Sequence, residues 1–236
     1  MTPNLVPLTK KSHQNLKIKK LENYDFVSEQ NLAPIMAHEF SRSAVTYPIV
    51  FVENKETGDY HPVVLLGLSS KENLFVKNGK WLSTYIPAVI KRHPFALVKG
   101  KDNSNLIICI DENSCVVNKQ DGQPIFNENG EPAELFNQVK KYLSDFQQME
   151  IFTDTFTKYL QDKELFSPLK MQIKAEQQIK NIGGCHVINE EKLNQLSNDS
   201  FLELKKLQYL GPIYSHLTSI AQIERLIQFK ENSHLN

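Results

Sequence analysis

The residues at positions 45–68, VTYPIVFVENKETGDYHPVVLLGL, carry the clearest structural pattern in this sequence. Residues 45–52 and 60–68 are rich in β-branched and aromatic side chains, and the polar segment between them contains a glycine. Two such runs joined by a short turn predict a β-hairpin. Pro48 and Pro62 each lack a backbone N–H group, so we expect them at sheet edges or at strand starts.

Further hairpins are predicted downstream. Residues 95–98 and 106–110 form two β-rich runs around a polar glycine-containing turn. Residues 169–174 alternate apolar and polar side chains, and residues 179–188 form a second extended run interrupted by Gly183–Gly184, which fits another hairpin. Residues 73–76, which precede an Asn-Gly turn, indicate one more short strand.

Residues 81–92 are predicted to form a helix that tolerates Pro87 in its first turn, where no backbone donor is needed. In such a helix Trp81, Tyr85 and Arg92 share one face, because their spacing matches whole turns. The helix is apolar over much of its surface, so we expect it to be buried.

Helical patterns dominate after Pro132. Apolar residues then recur every three or four positions as far as Leu160, which predicts one amphipathic helix about 45 Å long at ~1.5 Å per residue. Three shorter helical patterns follow at residues 190–196, 199–210 and 212–229, the last two separated by a Gly-Pro pair.

Strands that cluster early and helices that cluster late predict an α+β fold. We expect a mainly antiparallel β-sheet built from hairpins, a long amphipathic helix and a C-terminal helical cluster. Residues 1–236 are interpreted as a single domain, with a loose subdivision near residue 132 left open. Residues 1–15, which contain two lysines and no acidic residue, are expected to form a flexible basic arm.

Composition and charge exclude several classes of protein. The chain has 27 basic and 27 acidic residues, which argues against broad charge-driven binding to nucleic acid. No stretch has the ~18 apolar residues of a membrane span. Three cysteines do not suggest a disulfide framework, and no apolar signal segment follows the basic start. We therefore expect a cytoplasmic protein, with the cell surface reached only by an export route without a signal peptide.

The sequence contains segments that resemble catalytic or cofactor-binding motifs, but each lacks residues that the motif requires. The segment from His38 to Arg42 resembles the zinc-protease pattern H-E-x-x-H, but arginine replaces the second metal ligand. Gly79–Lys80 resembles the end of a phosphate-binding loop whose other supports are absent. Residues 213–229 could form the recognition helix of a helix-turn-helix motif, but they have few cations at the positions that would contact DNA. The favoured interpretation is a helical hairpin that packs against the sheet. We predict no catalytic residue, no metal site and no cofactor.

One cluster of polar and aromatic residues remains as a candidate ligand-binding site. Arg92 would lie on a buried helix face and would need an anionic partner, which Glu39 or Asp111 could supply. The cluster is interpreted either as a structural ion pair or as a site for a small anionic or peptide ligand held against aromatic walls. Its members are Glu39, Arg42, Tyr47, Trp81, Tyr85, Arg92 and Asp111.

The same segments resemble the bacterial SapC family, in order and spacing, over roughly residues 15 to 226. The matching stretches are Tyr-Pro-Ile-Val-Phe at 47–51, Leu-Leu-Gly-Leu at 65–68, Trp81 with Tyr-Ile-Pro-Ala at 85–88, Arg-His-Pro-Phe-Ala-Leu at 92–97, and residues 211–219.

The resemblance implies a connection with the paracrystalline bacterial surface layer, from which the family takes its name, and it supplies no catalytic residues. We therefore expect an interaction or accessory protein linked to surface-layer biogenesis or to the handling of an exported polypeptide. Its protein or peptide partner would add to the sheet edges near Pro48 and Pro62. The alternative is a ligand-binding protein or enzyme that uses the pocket around Glu39, Arg42, Trp81 and Arg92. Homo-oligomerisation is left open.

Overall fold

The computed structural model describes residues 4–100, 105–175, 178–182 and 184–233. Its strands are β1 Leu5–Pro7, β2 Lys17–Ile18, β3 Leu32–Pro34, β4 Ile49–Glu53, β5 Tyr60–Leu65, β6 Val76–Lys77, β7 Lys80–Trp81, β8 Phe95–Lys99, β9 Leu106–Asp111, β10 Val117–Asn118, β11 Gln123–Pro124, β12 Phe166–Pro168, β13 Met171–Ala175, β14 Gln178–Ile182 and β15 His186–Ile188. Its α-helices are α1 Lys10–His13, α2 Phe40–Ser43, α3 Ala88–Lys91, α4 Glu134–Asp162, α5 Glu190–Asn194, α6 Asn198–Lys206, α7 Leu210–Ser219 and α8 Gln222–Ser233.

The fold is α+β, and every strand pairing in these ranges is antiparallel, as predicted. A five-stranded sheet has the order β12-β15-β4-β5-β3, and a three-stranded sheet has the order β1-β9-β8. The three predicted hairpins are confirmed as β4–β5, β8–β9 and β13–β14. The strands form several small sheets instead of one large one.

Pro48 lies directly before β4, at a strand start as predicted, whereas Pro62 lies inside β5 and marks neither a sheet edge nor a strand start, which corrects the prediction for that residue. Strand β5 pairs with β4 on one side and with β3 on the other. The nitrogen of Pro62 faces β3 just where that strand ends, and its carbonyl still accepts a bond from Ile35. The missing donor therefore costs little, because it falls at the end of the ladder.

The predicted helix at residues 81–92 is wrong over most of its length. Lys80–Trp81 is instead a strand that pairs with Val76–Lys77 through a tight turn, in which Asn78 and Gly79 both have positive φ. Only Ala88–Lys91 is helical, and Pro87 is its N-cap. Proline disfavours the helical conformation at the residue before it, so a helix cannot easily extend back from Ala88.

The long amphipathic helix is confirmed as α4, which has 29 residues and is therefore about 44 Å long at ~1.5 Å per residue. It connects two clusters of buried side chains. Phe156 and Leu160 pack in the larger cluster with the five-stranded sheet, whereas Leu143 packs in the smaller one with Phe95 and Ile110. Both clusters contain residues from before and after residue 132.

The C-terminal helical cluster is also confirmed, but its boundaries differ from the prediction. The Gly211–Pro212 pair lies inside the first turn of α7, where the missing proline donor is not needed. The helical conformation is interrupted instead at residues 220–221, so the third predicted helix is in fact two helices, α7 and α8. Helix α7 packs against the five-stranded sheet through Ile213 and His216, both fully buried.

The predicted basic arm is part of the sheet from residue 5 onward. Leu5–Pro7 pairs with β9, so that Leu5 lies opposite Asp111. His13 follows in α1 and is buried, with Nε2 3.3 Å from Glu112 Oε1. Lys10 and Lys11 are exposed, and the strand Leu5–Pro7 before them forms the edge of a sheet.

Candidate functional site

Glu39 is the centre of a buried hydrogen-bond network. It lies in a short 3₁₀ helix at Ala37–Glu39, and its side chain is buried. Its Oε2 accepts a bond of 3.0 Å from the N–H of Met36, three residues earlier. Its Oε1 accepts a bond of 2.8 Å from the N–H of Ala88 and one of 2.5 Å from the Tyr85 hydroxyl. One carboxyl group therefore holds the start of α3 against α2.

Tyr47 and Trp81 meet at the backbone carbonyl of Tyr85. Trp81 Nε1 lies 3.0 Å from this oxygen and 2.9 Å from the Tyr47 hydroxyl oxygen, and the Tyr47 hydroxyl also donates to the carbonyl. Burial raises the pKa of Tyr47 to about 12. Burial, followed by the nearby carboxyl of Glu39, also raises the pKa of Tyr85. Both phenols are therefore protonated donors at neutral pH.

Four of the seven predicted site residues thus come together, but they bind one another and the loop before α3. The carboxyl oxygens of Glu39, the Trp81 N–H and both phenolic hydroxyls all have protein partners. Their physical effect is to fix the loop at residues 82–87, which lies between β7 and α3.

The other predicted residues have separate surroundings. Arg42 is exposed on α2, and its charge acts on Tyr85 only through space. Asp111 is buried at the end of β9, and its Oδ1 accepts bonds of 2.8 Å from the Asn4 N–H and 3.1 Å from the Asn113 N–H. Asp111 therefore fastens the N-terminal strand and the following turn.

Arg92 pairs with neither expected partner. The structure contains no ion pair from its guanidinium to Glu39 or Asp111, nor to any other residue in the described ranges. The guanidinium carbon instead lies 4.7 Å from the ring centroid of Phe146 on α4. Arg92 is half-buried, and this burial lowers its pKa. The ion-pair interpretation from the sequence is wrong.

Arg92 lines a cleft of about 350 Å³ between α4, the residues around α3 and β2. The lining combines apolar side chains with cationic ones and includes no aspartate or glutamate. Sequence analysis identified only Arg92 here, because the other residues come from three distant segments and only the fold brings them together. The lining residues are Ile18, Lys19, Leu21, Lys91, Arg92, His93, Pro94, Phe95, Leu135, Gln138, Val139, Tyr142 and Leu143.

The one histidine of the cleft lining, His93, bonds to a residue outside the lining. His93 Nε2 lies 2.7 Å from the hydroxyl of Ser114, but Ser114 is buried and does not line the cleft. Burial lowers the pKa of His93, and its ring stacks on Phe26 with a centroid distance of 4.0 Å. In the part of the chain that the structure describes, no three histidine, cysteine or acidic side chains could hold a metal ion together.

Comparison with known families decides the family of this chain. The family model named SapC matches residues 8–226, which is nearly the whole sequence. The chain belongs to the SapC family. No curated protein and no solved structure matches it. Among the described helices, including the 29-residue α4, none is both long and apolar enough to cross a membrane. Family membership is thus established, and it carries no assigned site residue with it.

Proposed function

We propose that this SapC-family protein is an accessory protein that binds an extended segment of another polypeptide along the free edge of strand β8. The family's association with bacterial surface layers makes a surface-layer polypeptide the first candidate partner. The observation that carries the proposal is the unpaired outer edge of β8, and no catalytic residue is needed for it.

The pairing register decides which backbone groups of β8 are free. The Asp111 N–H donates a bond of 2.9 Å to the Pro94 carbonyl, and hydrogen-bonded pairs recur at every second residue of an antiparallel ladder. Ala96 and Val98 therefore direct their N–H and C=O groups toward β9. Leu97 and Lys99 therefore direct their N–H and C=O groups away from β9. These groups have no backbone partner in the described ranges, and β8 is the last strand of its sheet. An added strand would find this row of donors and acceptors open.

The other outer strands of the two larger sheets are less suitable. Each of β1, β3 and β12 has three residues and ends with a proline, namely Pro7, Pro34 and Pro168. Proline lacks a donor and is typical of edges protected against further pairing. Strand β8 has five residues and no proline, so its edge lacks that protection.

The side chains around this edge indicate the chemistry of the partner. Val98 and Ile107 lie on the same face and are exposed, whereas Leu97 lies on the opposite face. Lys99 is exposed at the end of the strand. Because opposite charges and apolar pairs stabilise neighbouring strands, we expect a partner segment with an apolar residue beside Val98 and an acidic one beside Lys99.

Site-specific crosslinking tests the proposal. A photoreactive phenylalanine analogue placed at Val98 is expected to crosslink to a polypeptide in cells that produce the surface layer. Lys99→Pro removes an outward N–H without breaking a bond to β9, so it should reduce this crosslink at least fivefold. Lys99→Glu is a second variant that keeps the backbone donor and repels an acidic partner. The control position is Tyr214, an exposed aromatic residue on α7.

Each outcome has a defined meaning. A crosslink at position 98 that Lys99→Pro leaves unchanged contradicts the proposal, as does one no stronger than at position 214. A specific crosslink to a polypeptide unrelated to the surface layer would retain edge binding and reject the surface-layer link. Separate cytoplasmic and cell-surface fractions from the same cells test the expected cytoplasmic location.

The alternative hypothesis, a ligand site at Glu39, Arg42, Trp81 and Arg92, is favoured by a specific observation only at Arg92. The carboxyl group of Glu39 and the indole N–H of Trp81 are hydrogen-bonded to other groups of the protein. Arg92, in contrast, lines the cleft, and its guanidinium has no ion pair among the described residues.

A further inference from the structure

The cleft beside Arg92 has the character of a binding site for a specific kind of small molecule. Its volume of about 350 Å³ lies within the usual range of ligand pockets. It is bounded by three segments that are far apart in the sequence, which are the residues around β2, those around α3 and the first half of α4. Its lining consists of apolar side chains, which form the floor, and of cationic side chains, which form the rim.

No acidic residue is part of the cleft lining that carries this cationic rim. Arg92 lies over Phe146 without an ion pair, and Lys91 Nζ lies 4.9 Å from the ring centroid of Tyr85. Lys19 is partly neutralised by Asp121, at 3.3 Å. The charge of Glu150 acts on Arg92, but this residue is neither at ion-pair distance nor part of the lining.

The guanidinium of Arg92 is suited to hold an anion. It is planar and presents up to five N–H donors, which match the paired oxygens of a carboxylate or phosphate. In this structure those donors have no hydrogen-bond acceptor among the described residues, and the group is only partly exposed. A half-buried cation whose donors face a cleft gains more from an anionic ligand than a fully solvated one does.

The floor of the cleft is apolar. Leu135, Val139 and Leu143 project from one face of α4, and Ile18 and Phe95 approach from the other side. These residues also belong to or pack against the smaller buried cluster, so the floor is continuous with the core. A hydrocarbon chain that lies on them would be removed from water while its charged end remained at the rim.

We propose that this cleft binds a small amphipathic anion, with a carboxylate or phosphate held by Arg92 and an apolar chain lying on the α4 floor. The site is separate from the free edge of β8, and the proposal does not depend on polypeptide binding there. Lys91 and Lys19 add positive charge at the rim, and Gln138, whose side-chain amide donates a bond of 2.9 Å to Glu134, is a further polar residue of the lining.

Titration with decanoate and with decyl phosphate, below their micelle concentrations, tests the proposal and distinguishes the two headgroups. At least one of the two is expected to bind the wild-type protein in a calorimetric titration. Decanol, which has the same chain without charge, should bind at least tenfold more weakly. Octanoate, which is shorter by two methylenes, should bind about 15-fold more weakly than decanoate, since each methylene contributes about a fourfold change.

Two variants locate the site. Arg92→Met keeps an apolar side chain over Phe146 and should weaken anion binding at least tenfold. Its matched control is Arg225→Met, which removes another arginine stacked on a ring, that of Phe229 at 5.2 Å. Gln138→Glu places a carboxylate in the exposed rim and should also weaken binding, whereas Gln148→Glu, an exposed position on α4 outside the lining, should not.

The contrary results are equally defined. The proposal is overturned if neither decanoate nor decyl phosphate binds the wild-type chain, or if decanol binds as tightly as they do. It is also overturned if the folded Arg92→Met protein keeps wild-type affinity. If Arg92→Met does not fold, the Gln138→Glu and Gln148→Glu pair decides, because both positions are on the exposed surface of a long helix.

Discussion

The buried imidazole of His216 accepts, at Nε2, a hydrogen bond of 3.0 Å from the backbone N–H of Ile188. This bond joins α7 to strand β15. The same turn of α7 is tied to β4, because Ser219 donates to the His216 carbonyl and accepts from the N–H of Ile49. An acceptor at Nε2 requires the neutral ring with its proton on Nδ1, and Nδ1 has no partner among the described residues.

Stability should therefore fall as the pH decreases below neutrality. Burial lowers the pKa of His216 from 6.5 to about 3. Between these values the unfolded chain binds a proton at this position and the folded chain does not, so acid favours unfolding. We expect the free energy of unfolding to lose about 1.4 kcal/mol per pH unit from this group alone. Urea unfolding at several pH values between 7 and 4 measures this slope.

His216→Gln isolates the effect, because glutamine keeps an acceptor for Ile188 and does not titrate. The decrease in its free energy of unfolding per pH unit should be smaller than in the wild type by about 1.4 kcal/mol, which corresponds to one proton. His61→Gln, which removes an exposed imidazole, is the matched control and should keep the wild-type slope. Equal slopes in the wild type and in His216→Gln would show that the ring is not held neutral by the fold.

Removal of the Glu39 carboxyl should destabilise the protein strongly. Glu39→Ala leaves the N–H groups of Met36 and Ala88 and the hydroxyl of Tyr85 without their acceptor. Since each unsatisfied buried donor costs about 1–3 kcal/mol, we expect a loss of about 3 kcal/mol or more in urea unfolding. Glu56→Ala, at an exposed position, should change stability by less than about 0.5 kcal/mol. A loss as small as that for Glu39→Ala would mean that this network does not hold α3.

The ion pair between Lys230 and Glu72 should couple the last helix to the loop after β5. Lys230 is buried in α8, and its Nζ lies 3.0 Å from Glu72 Oε1 and 2.8 Å from the Ser69 hydroxyl. Lys230→Met leaves a partly buried carboxylate without its cation, and we expect a loss of about 2–3 kcal/mol. A double-mutant cycle with Glu72→Gln should give a coupling energy of at least about 1 kcal/mol, and additive losses would contradict a direct interaction.

Two neighbouring proline substitutions should differ in their effect on stability. Val98→Pro removes an N–H that faces β9, so we expect a loss of at least about 1 kcal/mol. Lys99→Pro removes an N–H that faces outward and should cost clearly less. Thermal unfolding of the two variants checks the register of the β8–β9 pair. A larger loss for Lys99→Pro would place the free edge on the other set of residues.

Periodic segments of this chain are predictable from sequence, and segments with mixed signals are not. The two β-rich runs joined by a turn in residues 45–68 predict a hairpin, and the three-to-four spacing from Leu135 to Leu160 predicts a helix; both are confirmed. Residues 81–92 also match a helical spacing, yet the Asn78–Gly79 turn places Trp81 in a strand. A tight turn and a proline act on the backbone directly, and they outweigh a side-chain spacing that several conformations can satisfy.

The candidate site shows the same division. Sequence analysis grouped Glu39, Tyr47, Trp81 and Tyr85 correctly, although it assigned Trp81 and Tyr85 to a helix that does not exist. It gave Arg92 an ionic partner, whereas the fold places the guanidinium on Phe146, over fifty residues away along the chain. Burial predicts that a polar group needs a partner, but it does not predict which one.

The α+β class, the hairpins, the long helix and membership of the SapC family are predictable from the amino-acid sequence, because they follow from local patterns and from the order of matched segments. The open strand edge and the side chains that line the cleft beside Arg92 become known only from the folded chain. Those features depend on contacts between residues that are far apart in the chain. No local pattern records such contacts, because they arise only when the separate elements pack together.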